Sequence, residues 1–219
     1  LEFRALRRSV ATHNLVATLG DPAVPGVLLS AHWDGVGVVG GAPAEAASDN
    51  AAGVAAVLWV AERLARDHAQ GLLKKPVVVV LFGGEESGLA GSRQFAAELE
   101  RAGAPVAKPL AAVNVDGLGN LGKAEAFLIG RSHHPALAEA FTRALEPSGL
   151  ALGRDIDRFA FEEGSDHWPL HRAGIPAVTV FSADYRSMNG PRDTLDRIDV
   201  DMVRRVAFAV YRTVRELAQ

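Results

Sequence analysis

The amino-acid sequence predicts an α/β fold, a mostly parallel twisted sheet with helices on both faces, and three observations carry that expectation. Apolar, β-rich runs alternate with segments whose apolar residues recur at helical spacing. One run, Val77–Phe82, is apolar throughout and lies between Pro76 and Gly83-Gly84, as suits a strand buried on both faces. Acidic and histidine residues follow the strand-like runs directly, at the sheet edge where open α/β folds bind ligands.

In chain order, Asn14–Leu19 and Val27–Ala31 read as neighbouring strands joined by a Gly-Asp-Pro turn. The stretch Gly35–Ala47, rich in Gly, Pro and Ala, is the longest irregular segment, and long loops within a domain are usually functional or disordered. Asn50–His68 has a helical period, with Val54, Val57, Leu58, Ala61 and Leu64 on one face. After the Val77–Phe82 strand come a helix over Gly88–Arg101, a strand over Ala111–Val115 and an edge strand over Ala126–Ile129. Pro135–Glu146 is helical, Ala177–Phe181 is a strand, and Asp201–Leu217 is a closing amphipathic helix. No repeat, linker or low-complexity tract divides the chain, so residues 1–219 are expected to form one domain.

Composition removes several functions. A net charge of -3, with no basic cluster longer than Arg7-Arg8, gives no footprint for nucleic acid. No apolar run reaches the roughly 18 residues of a membrane span, and Leu1–Arg8 lacks a signal-peptide layout. With seven His and no Cys, any metal must be held by imidazole and carboxylate, which excludes thiolate zinc fingers and iron–sulfur clusters.

Three strand ends deliver polar residues to one edge: His32-Trp33-Asp34, Glu85-Glu86 and Asp116, with Asp49 just before a helix. Singly, each has an ordinary reading. Asp49 could be a helix N-cap, Glu85-Glu86 a solvated pair at a helix start, and His32 a hydrogen-bonded core histidine. Together they favour a metal cluster, because converging carboxylates resist ionising unless a cation neutralises them. In His-x-Asp on a strand the two side chains point the same way, so Asp34 can accept the second N–H of the His32 ring. The adjacent carboxylates of Glu85 and Glu86 diverge, leaving one for the metal and one to take a proton from water. Asp49 has two oxygens with which to bridge two ions.

The runs Ser30-Ala-His-Trp-Asp34, Ser48-Asp-Asn-Ala-Ala-Gly53, Phe82-Gly-Gly-Glu-Glu-Ser-Gly-Leu-Ala-Gly-Ser92, Asn114-Val-Asp116, Gly164-Ser-Asp-His-Trp168 and Asp193-Thr-Leu-Asp-Arg-Ile-Asp199 resemble the co-catalytic di-zinc aminopeptidases. That family comprises secreted bacterial leucyl-type enzymes related to glutaminyl cyclases and the transferrin-receptor ectodomain. The resemblance runs from about Thr12 to the C-terminus. It implies a three-layer sandwich of the zinc-exopeptidase type, one or two zinc ions per chain, a peptide substrate cleaved at its N-terminal bond by metal-activated water, and a secreted or periplasmic location. Carried over by position, His32 and Asp116 are terminal ligands of one metal, Asp49 the bridge, Glu86 a ligand of the second metal, Glu85 the general base and Asp34 the carboxylate behind His32. The peptide after Asp49 is expected to be cis.

The sequence departs from the family at one place. Four residues before Asp193 the family has a His, preceded by a Tyr that supports the oxyanion; here these positions hold Asn189 and Met188. A neutral amide is a weaker zinc ligand than imidazole, so a weakened second site is expected, with His167 and His171 the nearest imidazoles in sequence that could substitute. His167 and Met188 are expected on the substrate side, and Asp166 as a cap of the short helix that follows it. His133-His134 reads as surface. Phe159, Phe161 and Trp168 could line an apolar pocket or equally belong to the core, and Arg154, Arg158, Arg186 and Arg192 could supply a cationic pocket. The alternatives are a receptor-type binding module that has lost metal ligands and a glutaminyl cyclase, the latter disfavoured because it would need the missing imidazole. The chain is short at its front for the family, so a further N-terminal segment is expected.

Overall fold

The computed structural model describes residues 11–157 and 162–219. Phe159, Phe161 and Arg158 therefore lie outside the described residues. The strands are β1 (Leu15–Leu19), β2 (Val27–His32), β3 (Val38–Val39), β4 (Ala42–Pro43), β5 (Val77–Phe82), β6 (Ala111–Val115), β7 (Glu125–Ile129), β8 (Ala151–Leu152) and β9 (Ala177–Phe181). The helices are α1 (Ala52–Ala69), α2 (Ala90–Leu99), α3 (Pro135–Leu145), α4 (His167–Arg172) and α5 (Val200–Leu217).

The period of two explains the layers. Along β5, Val77 and Val79 enter one core with α1, α3 and α5, while Val78, Val80 and Phe82 enter the other with Phe95 and Leu99 of α2 and Leu170 of α4. Leu28 and Leu29 of β2 divide between the cores in the same way. A strand apolar on both faces is thus covered on both, and the result is a three-layer α/β sandwich. The sheet order is β1-β5-β2-β6-β9-β7-β8. Within this sheet the pairings of β2 with β5, β2 with β6, β6 with β9 and β7 with β8 are parallel, and those of β1 with β5 and β7 with β9 are antiparallel.

Several sequence expectations are corrected. β1 and β2 are not neighbours: β5 lies between them. The apolar β5 needs partners on both edges, whereas β1, with Leu15 and Val16 exposed, suits a sheet border. β7 is not an edge strand, because the two-residue β8 pairs beyond it. Leu58 is exposed, and Ala56, Val57, Val60 and Leu64 form the buried stripe of α1 instead. The irregular Gly35–Ala47 segment contains the small β3–β4 hairpin. No described helix is long and apolar enough to cross a membrane.

Candidate active site

The parallel strands β2, β5 and β6 point the same end at one cleft. β2 ends in His32, which is fully buried. Its Nε2 lies 3.0 Å from Asp49 Oδ1 and 3.1 Å from Asp116 Oδ1. Asp116 directly follows β6, and its Oδ2 accepts the Ser165 hydroxyl at 2.5 Å. A His32 ring nitrogen, a Glu85 oxygen and an Asp116 oxygen all lie within 4.8 Å of one another. Glu85, Glu86, Asp116, Tyr185, Met188 and Asn189 are among the residues that line the cleft, a cavity of about 530 Å³.

Asp49 does not cap a helix. It sits in an irregular turn ahead of α1, and its peptide to Asn50 is cis, as the resemblance implies. The buried Asp193 carboxylate fixes this turn, accepting Ser48 N at 2.7 Å, Ser48 Oγ at 2.7 Å and Asp49 N at 3.0 Å. Asn50 then ties the turn to the end of β6, donating to Val115 O at 2.9 Å and accepting Gly117 N at 3.3 Å. Gly53 is required by this packing, since a Cβ there would stand 2.0 Å from Asn50 Oδ1.

Asp34 sits differently from the expectation. Its Oδ1 is 3.7 Å from His32 Nδ1, too far for a hydrogen bond, and the nearer acceptor is the Asp34 carbonyl at 3.2 Å. The carboxylate instead accepts the backbone N–H groups of Glu85 at 3.0 Å and Glu86 at 3.2 Å, and so holds the turn that carries both acids.

The electrostatics of the cluster call for a cation. Burial and the Asp116 carboxylate push Glu85 up to about 9. Burial and Asp49 push Glu86 up to about 7, and burial raises Asp49 to about 6. For His32, burial is the largest single influence and would lower the pKa, but the Asp116 charge together with the contacts to Asp116, Asp34 and Asp49 outweighs it and raises the ring far above the imidazole range. Asp116 is held low by the same pairing, against the pull of burial. The cluster is thus a set of carboxylates gathering protons around one imidazole whose Nε2 already faces two oxygens. One nitrogen with several oxygens, closed to thiolate, is a donor set that fits zinc. His32, Asp49 and Asp116 could hold one ion, with Glu86 beyond Asp49.

The neighbouring residues divide. Met188 and Asn189 line the cleft as expected. The Asn189 amide faces Glu86, and with Nδ2 turned inward it donates to Oε1 at 2.8 Å and Oε2 at 3.1 Å. Asn189 has φ +56°, a left-handed conformation that Asn tolerates better than most side chains. His167 does not line the cleft. It is buried with Nδ1 hydrogen-bonded to the Thr179 hydroxyl at 2.9 Å, and burial lowers its pKa to about 4. His171 lies beside His133 and His134. Neither imidazole replaces the missing one. Asp166 precedes α4 but does not cap it, because its backbone is already helical and neither carboxylate oxygen has a hydrogen-bond partner. Burial raises its pKa to about 7; Ser92 opposes the rise, although its hydroxyl points to the Leu89 carbonyl. Trp168 stacks on His171. Arg154 and Arg186 line a second cavity of about 770 Å³ that shares Phe181 and Tyr185 with the cleft, and Arg186 is paired there with Asp184. Arg192 hydrogen-bonds to the Arg186 carbonyl.

Two supports had no role assigned from sequence. They are Asp193 beneath Asp49, and Ser165 with Asn114 behind Asp116, where Asn114 donates to Ser165 Oγ at 2.9 Å. The signal available was their place inside the motif runs.

A model of peptidase family M28 matches residues 14–214. Comparison with curated proteins returns no match. Among solved structures, an aminopeptidase from Aneurinibacillus sp. strain AM-1 is 26% identical with a TM-score of 0.73, covering 95% of this chain and 48% of its own. A zinc aminopeptidase from Bacillus subtilis is 20% identical with a TM-score of 0.73, covering 93% and 49%. A glutaminyl cyclase from Porphyromonas gingivalis is 23% identical with a TM-score of 0.73, covering 93% and 77%. The latter two likenesses are of fold. The chain spans about half the length of the aminopeptidases it matches.

Proposed function

The chain belongs to peptidase family M28, and on that premise we propose that it is a metal-dependent aminopeptidase that removes the N-terminal residue of peptides. The observation that carries the reading is the convergence of His32, Glu85 and Asp116 at the ends of three parallel strands, with Asp49 brought against His32 by the turn ahead of α1, in a cleft open to substrate. His32, Asp49 and Asp116 would hold the cation. When bound, it supplies Lewis-acid stabilisation of the attacking water and of the carbonyl oxygen.

The chain's own residues do the rest. Glu85 accepts the proton of the attacking water and returns it to the leaving amine. Its carboxyl is raised by burial among acids, a condition a cation relieves, so that Glu85 can act as a base near neutral pH. Asp34 acts through Glu85, holding its backbone N–H and so its distance from the ligands. The excess of carboxylates in the cleft favours a substrate's free α-ammonium, which makes cleavage exopeptidic. Peptide is accordingly the partner, in a secreted or periplasmic setting.

Asn189 points to a single tightly held ion. A hydrogen-bonded Asn189–Glu86 pair occupies the place of the second ligand set, so Glu86 is satisfied by an amide. Glutaminyl cyclase activity remains the less favoured reading because it would need an imidazole at this place.

Replacing Glu85 with Gln tests the assignment. Hydrolysis of aminoacyl p-nitroanilides is expected to fall by about 10²–10⁴-fold with metal retained. Full activity at unchanged metal content overturns it.

A further inference from the structure

Three of the chain's seven histidines gather at a place that the cleft does not use. His133 and His134 sit in the loop entering α3, and His171 lies inside α4. His134 Nε2 is 2.9 Å from His171 Nδ1. The His133 and His171 ring centroids are 4.7 Å apart, and those of His134 and His171 5.0 Å. Glu162 is in contact with His133 Nε2. Trp168 stacks on His171, with centroids 5.1 Å apart and planes at 25°.

Two ring nitrogens at hydrogen-bond distance cannot both carry a proton in that contact, so one presents a lone pair to the other. Nitrogens on one tetrahedral zinc, each about 2.0–2.1 Å from the ion, stand about 3.3 Å apart. The His134–His171 pair is a few tenths of an ångström short of that spacing. Its frame is also set: His134 is followed by Pro135 in the first turn of α3, and His171 is fixed by its helix and by Trp168. His133 and Glu162 are exposed on the rim, each with 37% of its side-chain surface open. As placed, His133 Nε2 is turned to Glu162 rather than to the pair, so a shared ion requires these two side chains to turn toward it.

We propose that His133, His134, His171 and Glu162 form a second transition-metal site of zinc-type imidazole–carboxylate chemistry, separate from the peptidase cleft. It draws its donors from two regions of the sequence, 133–134 and 162–171, so an ion there ties the loop before α3 and the 162–165 loop to α4. The same 162–165 loop carries Ser165, the partner of Asp116. The proposal does not depend on the peptidase reading, because no cleft residue takes part.

Zinc bound to tag-free protein, counted by elemental analysis after dialysis against micromolar free zinc, tests it. The double variant His134→Ala/His171→Ala is expected to hold one equivalent fewer than the wild type. It should keep its hydrolysis of aminoacyl p-nitroanilides. Asp49→Asn should lose a different equivalent, and failure of the cleft reading would appear there alone. Equal zinc in wild type and double variant overturns the proposal. If the double variant does not fold by circular dichroism, His171→Phe, which keeps the stack on Trp168, is read in its place against the same criterion.

Discussion

Asp193 makes three hydrogen bonds to the Ser48–Asp49 turn from 144 and 145 residues away, and is 1% exposed. Replacing it with Ala removes the acceptor of two buried backbone N–H groups. Ser48 Oγ keeps a partner in Asn120, 3.0 Å away, so the hydroxyl is the least affected. An orphaned buried amide costs about 1–3 kcal/mol, so two cost about 2–6 kcal/mol. Relief from burying the carboxylate itself offsets part of this, leaving about 3 kcal/mol net. For a chain of this size 1 kcal/mol shifts the melting temperature by roughly 2–4 °C, so Asp193→Ala should melt about 6–12 °C lower. Asp49 also loses its mooring, and zinc affinity measured by chelator competition should fall about 10–100-fold. Asp193→Asn discriminates further. Its amide oxygen can still accept from Ser48, but its Nδ2 would face the Asp49 N–H donor to donor, so intermediate loss is expected. A melting temperature within 2 °C of wild type for Asp193→Ala, with unchanged zinc affinity, would refute this reasoning.

Asn189→His should add one equivalent of bound zinc, counted as above, and an unchanged count would show that the amide is not what limits the second ion. Gly53→Ala places a Cβ on Asn50 Oδ1 and should cost about 1–3 kcal/mol in urea unfolding, together with weaker zinc binding; wild-type behaviour would mean that the Asn50 side chain is free to move. Metal-free protein should lose stability as pH rises. The carboxyls of Asp49, Glu85, Glu86 and Asp166 are all raised by burial, to about 6, 9, 7 and 7. Stability from a raised group is complete below its unfolded value and is lost as pH climbs through its folded value. The decline therefore runs from about pH 4 to pH 9; His32, also raised, adds to it above its unfolded value of 6.5. Asp34 and Asp116, held low, contribute the opposite slope only at more acidic pH. Saturating zinc should flatten the curve, and a melting temperature of the metal-free protein that rises across pH 5–9 would contradict the assignment.

The parts legible in the sequence were those set by local pattern. Val77–Phe82 declared itself by a continuous apolar run, and Ala111–Val115 and Ala177–Phe181 coincide with strands, because period and turn residues act within a few positions. The acids and His32 stood out because they follow those strands. What stayed hidden is long-range. The insertion of β5 between β1 and β2 depends on which strand must be covered at both edges, which single segments do not reveal. The Asp34 side chain stays beside the ring, 3.7 Å from Nδ1, but hydrogen-bonds instead to two N–H groups 51 and 52 residues on. The pattern placed it on the correct side and could not choose between acceptors. Leu58 failed for the opposite reason: it matches the helical stripe by composition, while small Ala52, Gly53 and Ala56 let α1 approach the sheet on an adjacent face.

The two halves of the proposed metal site are unequally built, and this explains how the chain can carry Asn189 without loss of the rest. His32, Asp49 and Asp116 come from β2, the turn ahead of α1 and the end of β6, and each is backed by buried groups. Asp193 holds the Asp49 turn, Asn50 holds that turn to Val115, and Ser165, itself held by Asn114, holds Asp116. None of these bonds involves Asn189. Glu86 instead faces a loop residue in a left-handed conformation, through an amide that can present either of its ends. With no cation there, the amide donates to Glu86; with one, only its oxygen could serve as ligand, and the exchange costs both donated hydrogen bonds. An imidazole offers a lone pair without that exchange. The difference lies in the side chain's hydrogen-bonding chemistry, so restoring His at position 189 should change the second ion's affinity while leaving the first ion's nearly untouched.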